Sequence, residues 1–162
     1  MLVLLVGVAA WWSSYYGNHQ VASVTIRFLH LAGLIMGGGT GLFADRQVLR
    51  AARSAPGERE AVLATLSRAH AHVISWILIV GITGALMTAA DTATFLASKV
   101  YWAKMILVGL LIANGVALFF VERRTRRLGA ASEWSRLVIV STISAVLWLV
   151  TLFMGTLLTV AA

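Results

Sequence analysis

The sequence predicts an all-α fold, an integral membrane helical bundle with four full transmembrane helices and a short N-terminal span. Hydrophobic residues make up 60% of the chain and charged residues 12%, whereas soluble domains carry about 25% charged residues. The apolar stretches are long enough to cross a bilayer, which takes about 20 residues. The 162 residues suffice for one domain, 1–162, and the absence of cysteine excludes disulfides and thiolate metal sites.

The first predicted helix covers about residues 1–16 and ends in four aromatic residues, Trp11, Trp12, Tyr15 and Tyr16. Paired tryptophans and tyrosines are typical of a membrane–water interface. The helix is short for a span, so we interpret it as a short fifth crossing. Residues 17–23 are polar and predict a turn, with Ser23 as the cap of the next helix.

The second predicted helix, about 24–53, carries a glycine at every fourth position: Gly33, Gly37 and Gly41. Residues at this spacing share one side of a helix, and His30 lies on the same side. Small residues let membrane helices approach closely. We therefore expect this helix to be the hub of the bundle, with His30 pointing inward.

Three further helices are predicted over about 60–90, 99–121 and 133–160. Pro56 and Gly57 separate the second helix from the third. Asp91 is expected to cap the local turn before residue 99, and Asn114 to form a hydrogen bond between helices. The small residues Gly109, Ala113 and Ala117 form a second stripe, which we expect to face the glycines of the second helix.

The basic residues are concentrated between the apolar stretches. Ten of the 13 lie in residues 46–68 and 122–136, which are interpreted as two loops. Short basic loops stay on the cytoplasmic side of a membrane. No basic face with interleaved aromatic residues is present, so the net charge of +7 predicts membrane orientation and not nucleic-acid binding.

A group of polar and sulfur-containing residues is predicted near the outer face. A neutral imidazole and thioethers suit a haem iron or Cu(I), and cations suit haem propionates. The candidate cofactor-binding residues are His30, Lys104, Arg27, Met154 and Met105, with His30 as the metal ligand. The alternative is that His30 only bonds a backbone carbonyl or a Ser/Thr hydroxyl while the methionines fill space.

A second group of polar residues is predicted at the basic end of the bundle: Asp45, Arg46, Arg68, His70, His72 and Glu122. We expect them to form interfacial ion pairs and lipid headgroup contacts. The predicted topology separates His72 from His30 by about 20 Å, so the two cannot ligate one haem. The sequence contains no nucleophile–base pair, phosphate loop or HExxH motif, and enzymatic activity stays an open question.

Several of these positions form a recognisable pattern. His30-Leu-Ala-Gly33, Asp45-Arg46, Gly84-Ala-Leu86, Trp102-Ala-Lys104-Met105 and Asn114-Gly115 resemble a group of uncharacterised small bacterial multi-pass membrane proteins over about residues 27–120. That resemblance implies the bundle fold and a bacterial inner-membrane location.

A more distant likeness concerns one early histidine and one later lysine. His30 and Lys104, with Trp102 before the lysine, resemble the membrane protoporphyrinogen oxidase family and the copper-resistance D-type proteins. The oxidase family implies a b-type haem held by His30. The sequence differs from that family at Gly37, where the family has tryptophan.

Two functions follow from these observations. The first is a haem b- or metal-associated redox protein that uses His30. The alternative is a non-catalytic accessory subunit of a larger membrane complex, whose partners beyond the lipid bilayer are other membrane subunits or a second copy of the chain.

Overall fold

The computed structural model describes residues 2–54, 56–129 and 131–161, and the regular elements within these ranges are all helices. The helices are α1 (Leu2–Asn18), α2 (Gln20–Ala51), α3 (Pro56–Ala90), α4 (Thr92–Ala97), α5 (Lys99–Leu128) and α6 (Ala131–Ala161).

Four of these helices are long and apolar enough to cross a membrane: Gln20–Ala51, Gly57–Ala90, Lys99–Leu128 and Glu133–Leu158. The 17 residues of α1 correspond to about 25 Å of helix, less than the roughly 30 Å of a hydrocarbon core. The prediction of an all-helical bundle with four long apolar helices is therefore confirmed.

α2 is the central helix, because it packs along α3 on one side and α6 on the other and also touches α1. α5 packs mainly along α6 and also contacts α3, whereas the backbones of α2 and α5 do not come close to each other. α1 lies against the C-terminal end of α3, where Trp12 Nε1 donates to the Leu86 carbonyl (2.8 Å) and Ser13 Oγ to the Ala90 carbonyl (2.7 Å).

The glycine stripe of α2 faces these neighbours, as predicted. A Cβ at Gly33 would lie 2.7 Å from Val80 Cγ2 of α3, and one at Gly41 would lie 2.8 Å from Trp148 Nε1 of α6. Gly38 lies under the same indole ring, which is buried. The absence of side chains on α2 therefore lets a tryptophan lie directly against its backbone.

The prediction for the second small-residue stripe is wrong. Gly109, Ala113 and Ala117 of α5 are exposed, and a Cβ at Gly109 would have no neighbour within 4 Å. The face that α5 buries carries larger side chains, Leu111 and Leu118. The four-residue spacing therefore identified one face of α5 correctly as a stripe. The bundle buries the face that carries the leucines, and the small-residue stripe points outward.

Several predicted boundaries differ in the structure. Residues 17–23 are helical except for His19, and Ser23 does not cap α2, because its hydroxyl donates to the Gln20 carbonyl inside the helix. α5 continues to Leu128 and ends at Gly129, whose φ of 59° is the left-handed conformation that terminates helices. Most of the predicted loop 122–136 is therefore helix.

Two local predictions are confirmed. The Asp91 side chain accepts a hydrogen bond from the Thr94 amide (3.2 Å) and caps α4. Asn114 Nδ2 donates to the Val140 carbonyl of α6 (3.2 Å), which ties α5 to α6 across the middle of the bundle.

The two basic segments meet at one end of the bundle, which we call the basic end. Arg126 of α5 donates to the Leu63 carbonyl of α3 (2.7 Å). Arg59 of α3 donates to the Ala52 carbonyl (3.1 Å) and lies over the Trp134 ring of α6. The hydrophobic core at this end is built from Ala44, Val48, Ala51, Leu63, Leu66, Leu118, Trp134 and Leu137.

Candidate functional site

His30 lies between α2 and α3 at the end opposite the basic end. Its Nδ1 is 3.1 Å from the Val80 carbonyl and 3.0 Å from Thr83 Oγ1. Thr83 Oγ1 donates its own proton to the Ile79 carbonyl (2.7 Å). Both neighbours of Nδ1 are therefore acceptors, so Nδ1 carries the hydrogen and the neutral ring keeps its lone pair on Nε2.

The His30 ring rests on a glycine of α3. A Cβ at Gly84 would lie 3.2 Å from His30 Cε1, so a larger residue at that position would crowd the ring. The structure thus fixes the ring from two directions, through hydrogen bonds at Nδ1 and the flat backbone at Gly84. Fixing the tautomer in this way is how proteins prepare a histidine to ligate a metal through its other nitrogen.

Lys104 of α5 reaches the same region. Its ammonium lies against Gly155 of α6, where a Cβ would be 3.8 Å from Nζ, and it interacts electrostatically with the His30 ring. No carboxylate in the described ranges forms an ion pair with it. Lys104 is therefore close enough to influence the His30 ring electrostatically, and no ion pair in the described ranges neutralises it.

The other sequence-predicted candidates surround this pair less closely. Arg27 is exposed one turn before His30, and its Nε donates to the Tyr16 hydroxyl of α1 (3.1 Å). Met154 is half-buried, whereas Met105 is 42% exposed on the outer surface of α5.

A second polar cluster lies near the basic end and centres on Asp45 of α2. Asp45 is 1% exposed, and neither carboxylate oxygen has a hydrogen-bond partner among the described residues. The Ser141 and Ser144 hydroxyls of α6 lie close enough to interact with the carboxylate, without hydrogen-bond geometry. An unpaired carboxylate at this depth is costly, which marks it as a candidate for function.

His70 and Glu122 lie beside Asp45. His70 Nδ1 of α3 is 2.9 Å from Glu122 Oε2, and Arg126 Nη2 is 2.6 Å from Glu122 Oε1. His70 and Asp45 line one cavity of about 50 Å³ together with Ser144 and Trp148. His70 Nε2 is buried without a partner in the described part of the chain.

The expected ion pairing is found for Glu122, whereas it is wrong for Asp45, which is fully buried and forms no ion pair. Two of the remaining members, His72 and Arg68, are exposed: His72 accepts a hydrogen bond from Trp76 Nε1 (3.0 Å), and Arg68 bonds its own helix. The sequence did contain a signal for Asp45. Asp45 follows Gly41 by four residues, so it lies on the same buried face of α2 as the glycine stripe.

The two sites differ in what they can hold. Within residues 2–54, 56–129 and 131–161, no group of three His, Cys, Asp or Glu side chains is placed to bind a metal ion. The site at His30 instead offers one nitrogen ligand beside cations, and the cluster at Asp45 offers a carboxylate and an imidazole around a small cavity. The chain matches no protein-family model, no curated protein and no solved structure.

Proposed function

We propose that this chain is an integral membrane protein of the bacterial inner membrane that binds haem b through His30. The observation that carries the proposal is the tautomer of His30, because the acceptors at Nδ1 leave the lone pair of Nε2 free to bind iron. The resemblance of His30 and Lys104 to the membrane protoporphyrinogen oxidase and copper-resistance D-type families supports the same assignment.

The charges around His30 suit the carboxylates of haem. Lys104 has no anionic partner in the described ranges and interacts electrostatically with the imidazole, so it would pair with one propionate. Arg27, one turn from His30, is oriented by Tyr16 and is placed to pair with the other. Met154, which is half-buried, and Met105, which is exposed, are the methionines that would offer a thioether to the iron.

Haem b would supply one-electron redox chemistry at this site. The contribution of the chain is to hold the ligand ring: the Val80 carbonyl and Thr83 fix its orientation, and Gly84 lets it lie flat against α3. Lys104 would raise the local positive potential and favour the reduced, less positive state of a bound redox group.

A haem titration tests this proposal. We expect hemin added to the purified protein to give a Soret band that saturates near one equivalent, and His30→Ala to lose that band. Lys104→Met should weaken binding by on the order of tenfold, because one charge-assisted contact is removed.

The matched control for the titration is His72→Ala, which removes an exposed histidine near the basic end and should bind hemin like the parent. Equal Soret bands in the parent and in His30→Ala would refute the proposal, as would a parent protein that gives no Soret band.

The proposed orientation places the basic end in the cytoplasm, with α1 as a short fifth span. Arginines resist translocation, and contacts such as that between Arg126 and Leu63 keep both basic segments at one end. We expect Ser54→Cys and Leu128→Cys to resist labelling from outside intact cells. Ala93→Cys, in exposed α4 at the opposite end, should label readily, and the reverse pattern would overturn the orientation.

The alternative function, an accessory subunit of a larger membrane complex, is favoured by the outward stripe of α5. Gly109, Ala113 and Ala117 are exposed small residues that no helix in the described ranges covers, and such faces suit contact with another membrane helix. A protein that binds no haem but is isolated in a stable complex, lost on Gly109→Leu, would support this alternative.

A further inference from the structure

The cluster at Asp45 is a different site from His30. The two residues are fifteen positions apart on α2, which is about 22 Å along the helix. Three groups of this cluster are buried and lack hydrogen-bond partners within the described residues: the Asp45 carboxylate, His70 Nε2 and the Ser141 hydroxyl. Native proteins rarely leave several such groups together, so their joint occurrence points to an occupant that the protein side chains do not supply.

The hydrogen bonds of His70 distinguish its two ring nitrogens. Its Nδ1 donates to Glu122, which also accepts from Arg126. Each carboxylate oxygen of Glu122 thus has one donor, and the Nδ1 proton of His70 is held in place. Nε2 is the ring nitrogen without a partner among the described residues, and both His70 and Asp45 line the cavity between α2, α3, α5 and α6.

The volume of this cavity limits what can occupy it. About 50 Å³ holds a few water molecules, since one water needs roughly 10–15 Å³ of such space. A water in this position has the polar partners it needs in the Asp45 oxygens, His70 Nε2 and Ser144 Oγ. The remaining lining is apolar, with Ile77, Leu111 and Trp148 among the residues. The small volume of the cavity leaves no room for an organic ligand.

The charges facing the cavity can be followed helix by helix among the described residues. Asp45 of α2 and His70 of α3 line the cavity, whereas Glu122 of α5 contacts His70 from outside the lining and is paired with Arg126. α6 contributes the uncharged Ser141 and Ser144, whereas its Glu133 is paired at the helix start with Arg124 and Arg136. One carboxylate and one imidazole therefore line the cavity, and Glu122, which is paired with Arg126, is the other titratable group in contact with His70.

We propose that Asp45 and His70 form an intramembrane proton-transfer site, in which one proton moves between His70 Nε2 and the Asp45 carboxylate through water in the cavity. In the step, the His70 Nε2–H bond breaks while the bridging water passes a proton to an Asp45 oxygen, where an O–H bond forms. The imidazolium becomes neutral as the carboxylate becomes a carboxylic acid, so total charge is unchanged. Chains of acidic residues and histidine within membrane spans are typical of proton relays.

His70 is the more exposed member of the pair that it forms with Glu122. Its side chain is 16% exposed, whereas that of Glu122 beside it is 4% exposed. The His70 ring therefore borders the surface of the bundle near the basic end, whereas its Nε2 and the Asp45 carboxylate lie inside. Glu122 acts as the positioning residue, because it holds the His70 ring through Nδ1. Nε2 is then the nitrogen that exchanges a proton with Asp45 in the proposed step.

The experiment measures the C=O stretch of a protonated carboxylic acid by infrared spectroscopy of the protein in lipid, as a function of pH. We expect a band that titrates, shifts in D₂O and disappears in Asp45→Asn. The matched control Asp91→Asn removes an exposed helix-capping carboxylate at the other end and should keep the band. His70→Gln should keep the band but move its midpoint by about one pH unit, because the coupling is lost.

A second measurement leaves Asp45 intact. Asp45 and Asp91 are the only aspartates of the chain, so ¹³C-carboxyl aspartate in the Asp91→Asn protein labels Asp45 alone and should shift the band. A band that ignores the label or fails to exchange in D₂O would overturn the proposal. Loss of the band when sodium replaces choline at constant pH would also overturn it, since the site would then bind a metal cation.

Discussion

Replacing Gly37 with leucine is expected to destabilise the bundle more than a similar change anywhere on the outer face of α2. A Cβ at Gly37 would lie 2.9 Å from Trp76 Cβ, and Cβ is close to the backbone of α3 and cannot swing away. Overpacking of this kind costs about 1–3 kcal/mol. The larger leucine should also separate α2 from α3 and Trp148. Thermal unfolding in detergent, followed by circular dichroism, measures the loss.

Gly39 supplies a control for this result. It lies two residues farther along α2, is exposed, and a Cβ there would have no neighbour within 4 Å. Gly39→Leu makes the same chemical change on the outer face and should unfold at or above the temperature of the parent. If Gly37→Leu melts with the parent, α2 does not pack through its glycines and is not the hub.

Replacing Glu122 with alanine is expected to give the second large loss. Glu122 is 3% exposed and accepts from His70 at 2.9 Å and from Arg126 at 2.6 Å. Removing one member of a buried ion pair typically costs about 3–5 kcal/mol, because the partners keep their desolvation penalty. The free energy of unfolding, measured by denaturant titration in mixed micelles, should fall accordingly.

Glu60→Ala provides the comparison, since Glu60 is exposed near the start of α3. Surface substitutions of this kind usually change stability by less than about 0.5 kcal/mol. A Glu122→Ala protein that unfolds with Glu60→Ala would mean that the contacts of Glu122 with His70 and Arg126 contribute nothing to the fold.

The inward face of α2 could be predicted from sequence because glycine spacing and apolar length both report directly on helix packing. The inward face of α5 could not. Its small residues and its leucines recur at compatible spacings, and which face is buried depends on the neighbouring helices. Here Leu111 and Leu118 are buried, and the small-residue face is exposed.

The extent of α5 was also underestimated. Charged residues from position 122 onward suggested a loop, but Glu122 and Arg126 are one helical turn apart and pair within the helix. The helix then continues until Gly129. Charge density therefore indicated the end of the apolar segment and not the end of the helix.

The candidate sites, too, could be predicted from the sequence only in part. His30 was recognised because a histidine within an apolar helix is unusual, yet its partners Val80 and Thr83 lie some fifty residues away and depend on the register between α2 and α3. Asp45 was assigned to the interface because it lies near charged residues in sequence. Its position after Gly33, Gly37 and Gly41 at the same spacing was the better guide.

The contact between Trp148 and the glycines of α2 also constrains how this sequence can drift. Adding one carbon at Gly41 brings it within 2.8 Å of the indole nitrogen, and trimming the indole instead leaves a void of ring size between α2 and α6. Each single change is therefore selected against while the other residue is unchanged. Homologous chains should alter positions 41 and 148 jointly, with a side chain at 41 accompanied by a smaller residue at 148, so the pair should covary.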